Sequence, residues 1–86
     1  MNARKIVGWN VRKLRVDRRM TIEELAVDAD VDPSYVGRIE RASVNASIDL
    51  LERLAKQLKV RMADLFVEPA TSSARPAPLS AGRRRR

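Results

Sequence analysis

The sequence predicts an all-α fold, and three observations predict it. Apolar residues recur at helical spacing along most of the chain as far as Val67. Two helix starts stand close together between Thr21 and Arg41. No segment alternates with period two for long enough to make a strand. The first helix is expected over Ala3 to Arg18, where Val7, Val11 and Leu14 fall at i, i+4, i+7 and form one buried stripe. Thr21 followed by Glu24 is a capping-box pattern, in which each side chain satisfies the other's free backbone N–H. It opens a second helix with Leu25, Ala26 and Ala29 on its inner face. Asp30 and Val31 make a turn. Asp32 then precedes Pro33, an N-cap followed by proline at the first helical position, and Val31 and Val36 are spaced as a hydrophobic staple.

The third helix is therefore expected over Pro33 to Arg41, burying Val36 and Ile39. Ala42 to Ala46 reads as a loop, and Ser47 as the N-cap of a fourth helix. Ile48, Leu51, Leu54, Ala55 and Leu58 give that helix an apolar face. A short fifth element, Met62 to Val67, carries Leu65 and Phe66. The reading is a compact five-helix bundle forming one domain over residues 1–68. The Pro/Ser/Arg-rich segment 69–86 is expected to be disordered, because it holds too little apolar surface to offset chain entropy.

Eighty-six residues allow a single small core, and no cysteine is present to staple it, so helix packing or self-association must supply the stability. The lack of cysteine fits a reducing compartment, and a cytoplasmic location is expected. No apolar run approaches the length of a membrane span, and the start of the chain lacks an apolar signal region. The net charge of +7 is uneven: residues 1–19 carry +6, residues 20–36 carry −5, residues 37–68 carry +1 and the last eighteen carry +5. The basicity thus sits at the ends, and the pI overstates the attraction of the middle for phosphate. With no histidine or cysteine there is no imidazole base, thiol nucleophile or ordinary zinc site, and no glycine-rich phosphate loop appears. No catalysis, cofactor or metal is expected.

A short helix, a tight turn and a second helix match the helix-turn-helix unit that reads DNA. In order, the segments VGWNVRKLR, MTIEELA, DPSYVGRIER, LLERLAKQLKV and ADLF resemble the XRE, or phage-repressor (Cro/CI-like), family of helix-turn-helix transcriptional regulators. The YVGRIER segment with Asp32 is most similar to the controller proteins of restriction–modification systems. Three positions depart from the family pattern. Ile22 stands where glutamine is usual and cannot make its hydrogen bond. Asp30 stands for a turn glycine and tolerates a left-handed backbone. Ala42 replaces a glycine just past the third helix, where alanine is expected to need a different exit.

The resemblance implies a third helix lying in the major groove of double-stranded DNA, with Pro33, Ser34, Tyr35, Gly37 and Arg38 toward the bases. Arg38 can bond guanine O6 and N7 bidentately; its alternative is a phosphate contact or a solvated surface arginine. Tyr35 either stacks on the sugar–phosphate chain or packs against its neighbouring helix. Gly37 would permit close backbone approach. Phosphate contacts are implied for Arg12, Thr21, Arg41, Ser43 and Asn45. The resemblance also implies a structural ion pair between Arg15 and Glu40, which keeps Arg15 off the DNA.

One reading head of this size makes few contacts, so a homodimer on a palindromic operator is expected. In the family the surfaces around the last two helices pair, which points to Leu58, Met62, Leu65 and Phe66; alternatively these residues close the monomer's own core, a role that suits Leu58 and Leu65, with Met62 and Phe66 the better interface residues. The competing reading is a protein-interaction module, antitoxin-like or coactivator-like, whose partner would be a toxin or RNA polymerase. The Arg83–Arg86 run is read as a nonspecific DNA arm, a solubilising tail or a tether to an acidic partner.

Overall fold

A computed structural model describes residues 2–69, so the expected tail lies, apart from Pro69, outside the described residues. Four α-helices follow one another: α1 (Ala3–Asp17), α2 (Ile22–Ala29), α3 (Pro33–Glu40) and α4 (Ile48–Leu58). The fifth element, Met62–Phe66, is a 3-10 helix rather than an α-helix. Among the described residues there is no strand, and no helix is long and apolar enough to cross a membrane.

Each α-helix begins on a side-chain cap. Asn2 accepts from the Lys5 amide, and Ser47 accepts from the Leu50 amide. Thr21 and Glu24 form the reciprocal capping box, at 3.0 and 2.8 Å. Asp32 accepts from the Ser34 amide at 2.8 Å. Each such cap stabilises a helix by about 1 kcal/mol.

The helix ends share a second device. Arg19, Asp30, Ala42 and Lys59, with φ of 57°, 60°, 62° and 61°, are the positive-φ non-glycine residues among those described. Each closes a Schellman turn, with paired bonds such as Ala42 N–H to Ile39 O (3.0 Å) and Ser43 N–H to Arg38 O (2.9 Å). The expectation of a different exit at Ala42 is thus corrected. Alanine adopts the left-handed conformation that glycine would take freely, because two hydrogen bonds to otherwise orphaned carbonyls offset the strain.

The core is built from Val7, Val11, Leu25, Ala26, Ala29, Val36, Ile39, Leu50, Leu51, Leu54, Ala55, Leu58 and Leu65. The first helix packs on α3 and on the 3-10 helix, while α2 packs on α3 and α4. One assignment to the apolar face of α4 is corrected: Ile48 is 73% exposed, and Leu50 takes the inward position. Ile48 is the first residue after the cap, where the chain has not yet turned its side chains onto the core.

Two buried residues of α1 set its neighbours. A Cβ on Gly8 would lie 2.5 Å from the Ile39 carbonyl oxygen and 2.8 Å from that of Glu40, so only glycine lets α1 approach the end of α3 this closely. Buried Asn10 donates through its side-chain amide to Leu65 O at 2.9 Å and Val67 O at 2.8 Å. That amide ties the 3-10 helix to α1 and satisfies carbonyls that packing would otherwise strand.

Candidate nucleic-acid interface

Successive residues of an α-helix turn by about 100°, which splits α3 into two faces. Val36 and Ile39 are buried against the core, and Tyr35 is half-buried beside them. Ser34, Arg38 and Arg41, at i, i+4 and i+7, are exposed and form the opposite stripe. Pro33 is also exposed, at the first turn. The outward side of α3 is therefore free of the other described residues. Of the residues expected to face bases, Pro33, Ser34 and Arg38 are open to solvent. Tyr35 is partly committed to packing.

Gly37 departs from the expectation. It is buried, because the Arg41 guanidinium lies over it: a Cβ built there would sit 3.1 Å from Arg41 Nη1 and 3.7 Å from Nη2. Its backbone is covered by that side chain, so close approach at this position would require the Arg41 guanidinium to move aside.

Asp32 sits at the head of the same face. Its Oδ1 accepts from both the amide and the hydroxyl of Ser34, each at 2.8 Å. These bonds, the hydroxyl's first and then the amide's, hold the Asp32 carboxyl below its ordinary value, and the Arg38 charge adds to the effect. Because the Ser34 proton is spent on Asp32, its hydroxyl offers acceptor lone pairs outward.

Four of the residues expected to meet phosphate stand at the flanks. Arg12 is exposed, its Nη1 lying 3.9 Å from Glu40 Oε1. Thr21 is exposed, with its oxygen used in the α2 cap and its proton unspent. Asn45 is exposed in the loop before α4. Ser43 differs: its hydroxyl donates to Arg38 O at 3.2 Å and its amide to the same carbonyl at 2.9 Å. Both donors point into the end of α3, so a phosphate contact would require the hydroxyl to turn outward. Ile22, at the position where the family carries glutamine, is half-buried against the core. The acids of α2 lie beside bases, since Glu23, Glu24 and Asp28 line one shallow hollow with Arg18 and Arg19.

Arg15 and Glu40 fix the end of α3 from beneath. Arg15 Nε donates to Glu40 Oε2 at 2.6 Å and Nη2 to Oε1 at 3.0 Å, while Nη1 donates to Met20 O at 2.8 Å. The Glu40 hydrogen bond raises the Arg15 pKa further above its ordinary value, against the opposing effect of burial.

Between α1, the loop before α4 and the 3-10 helix, an apolar groove of about 220 Å³ is lined by Val7, Val44, Ile48, Leu51 and Phe66, with Arg4 and Asn45. Phe66 is 47% exposed and Met62 half-buried. Of the four residues named for a subunit interface, Leu58 and Leu65 are 0% exposed and take the alternative role, in the monomer's own core. Their side chains fall on the inward face once the 3-10 helix folds back on α1. Sequence reasoning missed Gly8, Asn10 and Ile48. Only Asn10 left a signal, a polar residue three places from Val7 and next to Val11.

Comparison with known proteins gives one consistent result. The helix-turn-helix family model HTH_3 matches residues 11–65. The control protein C.BamHI of Bacillus amyloliquefaciens is 37% identical over 66 residues, covering 76% of this chain and 82% of that protein. A hypothetical transcription factor of Neisseria meningitidis is 32% identical over 66 residues, 77% of this chain and 62% of that protein. The crystal structure of NHTF, a hypothetical transcription factor from Neisseria, superposes with a TM-score of 0.77 at 31% identity, covering 79% of this chain and 78% of that one. The restriction–modification controller protein C.AhdI from Aeromonas hydrophila gives a TM-score of 0.72 at 33% identity, over 73% and 96% of the two chains.

Proposed function

The chain belongs to the helix-turn-helix family HTH_3, and from that premise we propose that it is a sequence-specific transcriptional regulator. It binds a palindromic operator as a homodimer, with α3 in the major groove. The observation that carries this reading is the exposed stripe of Ser34, Arg38 and Arg41 on a helix whose other face is locked into the core. Arg38 reads a guanine edge, for about 1–3 kcal/mol of discrimination. Ser34, acting as acceptor, favours the amino group of adenine or cytosine. Pro33 offers apolar contact, and Tyr35 packs at the rim. Arg12, Thr21 and Asn45 fix the register on phosphate, and backbone amides at helix starts assist them.

The dimer forms through Met62 and Phe66, joined by exposed Ile48 and Val67. Such an apolar patch is costly to leave in water, and pairing two heads doubles the base contacts. The tail residues Arg83–Arg86 add a nonspecific electrostatic arm. The working location is the cytoplasm, at the nucleoid.

Selection of duplexes from a randomised pool at moderate salt tests this function. Enrichment of a two-fold symmetric site is expected; no preference over random duplex defeats it. Sedimentation of Phe66→Arg against the parent tests the interface, with a shift to monomer expected.

A second reading draws on Ile22, which packs inward and leaves the head of α2 without the family's amide. A protein-interaction module that keeps the fold without base reading would then be the function. It requires that Arg38→Ala leave activity intact while a tight protein partner co-purifies.

A further inference from the structure

We infer that Arg41 is a second base-reading arginine of α3 and that Gly37 holds it in position. This rests on the DNA-reading function proposed above and assigns Arg41 a role beyond a phosphate contact. Arg41 is the C-cap of α3, so an extended side chain would leave the helix end and meet the DNA backbone. Its guanidinium instead lies back along the helix. A Cβ on Gly37 would stand 3.1 Å from Nη1, 3.7 Å from Nη2 and 3.8 Å from Cζ. The charge is thereby carried about one turn toward the N-terminal end of α3, onto the stripe shared with Ser34 and Arg38.

The guanidinium can rest this close because position 37 has no side chain: a Cβ there would press on Nη1 and push the group away by a few tenths of an ångström or more. Among the described residues neither Arg38 nor Arg41 has an ion-pair partner. The Arg41 donors are thus available to an outside acceptor. A planar guanidinium on an exposed helix face fits two adjacent acceptors, the O6 and N7 edge of a guanine. The half-site should therefore hold two guanine-specific positions, one for Arg38 and one for Arg41. Gly37 is a positioning residue acting through Arg41.

The role separates from a structural one because the neighbour of Gly37 is the flexible end of a side chain and not backbone. Gly37→Ala removes a helix-interior glycine, which by itself favours folding. The experiment is selection of duplexes with the full chain, followed by affinity for single-base variants of the enriched site. Wild type, Arg38→Ala, Arg41→Ala and Gly37→Ala are compared, each with a thermal melt. Arg41→Ala should lower discrimination at one guanine position by about fivefold or more, leaving the Arg38 position intact. Gly37→Ala should relax the same position as Arg41→Ala, with a melting temperature no lower than wild type.

Uniform weakening of all duplexes by Arg41→Ala, with a salt slope shallower by about one, would make Arg41 a phosphate contact and overturn the inference. Unchanged discrimination in Gly37→Ala would overturn the positioning role. A wild-type protein that enriches no site defeats the underlying function, and the inference with it. Enrichment with an unaltered preference in Arg41→Ala sinks the inference alone.

Discussion

Glu40 is joined to Arg15 by two hydrogen bonds, at 2.6 and 3.0 Å, that tie the end of α3 to the last turn of α1. The Glu40 side chain is 4% exposed and that of Arg15 10%, so neither charge has water to fall back on. Glu40→Ala leaves the guanidinium stranded and should cost about 3–5 kcal/mol. A domain of this length has a total stability of about 3–10 kcal/mol, so the variant should be largely unfolded at low urea. Urea titration of far-UV circular dichroism measures it. A loss below about 1 kcal/mol would remove the pair from the fold's essential contacts.

The two glycines of α1 and α3 are predicted to respond with opposite signs. Alanine gains about 1 kcal/mol over glycine in a helix interior. At Gly8 that gain is overwhelmed, because the new methyl would meet the carbonyls of Ile39 and Glu40, which are backbone. Overpacking of this kind costs about 1–3 kcal/mol or more. Gly8→Ala should therefore lower the urea midpoint, while Gly37→Ala should hold or raise it.

At Ala42 the stored strain can be released. The residue has φ of 62°, where an L side chain is disfavoured, and its Schellman bonds do not depend on the methyl. Ala42→Gly should raise stability by about 0.5–1 kcal/mol, net of the extra freedom glycine gains in the unfolded chain. Differential scanning calorimetry reads this as a higher melting temperature. An unchanged or lower one would mean that unfolded-chain entropy outweighs the strain.

The Asp32 cap predicts a pH dependence. Ser34 holds the folded-state carboxyl below its unfolded value, so its stabilisation is fully present above the unfolded pKa of about 3.9. As pH falls below that value and through the depressed folded pKa, the contribution is lost. Thermal melts of wild type and Asp32→Asn should therefore differ at pH ~6 and converge toward pH ~2. A constant gap across that range would contradict the assignment.

Local rules carried the sequence reading where the interactions are local. A cap joins residues two or three apart, so Thr21–Glu24, Asp32–Ser34 and Ser47–Leu50 could be read from spacing, and with them the turn that sets α3 beside α2. Helical spacing likewise assigned Val36 and Ile39 to the core and left Ser34 and Arg38 outside. Periodicity names a face but not what lies against it. Only the tertiary structure decided that Gly8 admits the α3 backbone, that Asn10 holds Leu65 and Val67, and that Ile48 stays outside while Leu50 turns inward. Arg41 stands between the two cases: its guanidinium rests above Gly37, four residues back on the same helix, a place that helical spacing permits and that only the folded side chain shows to be taken.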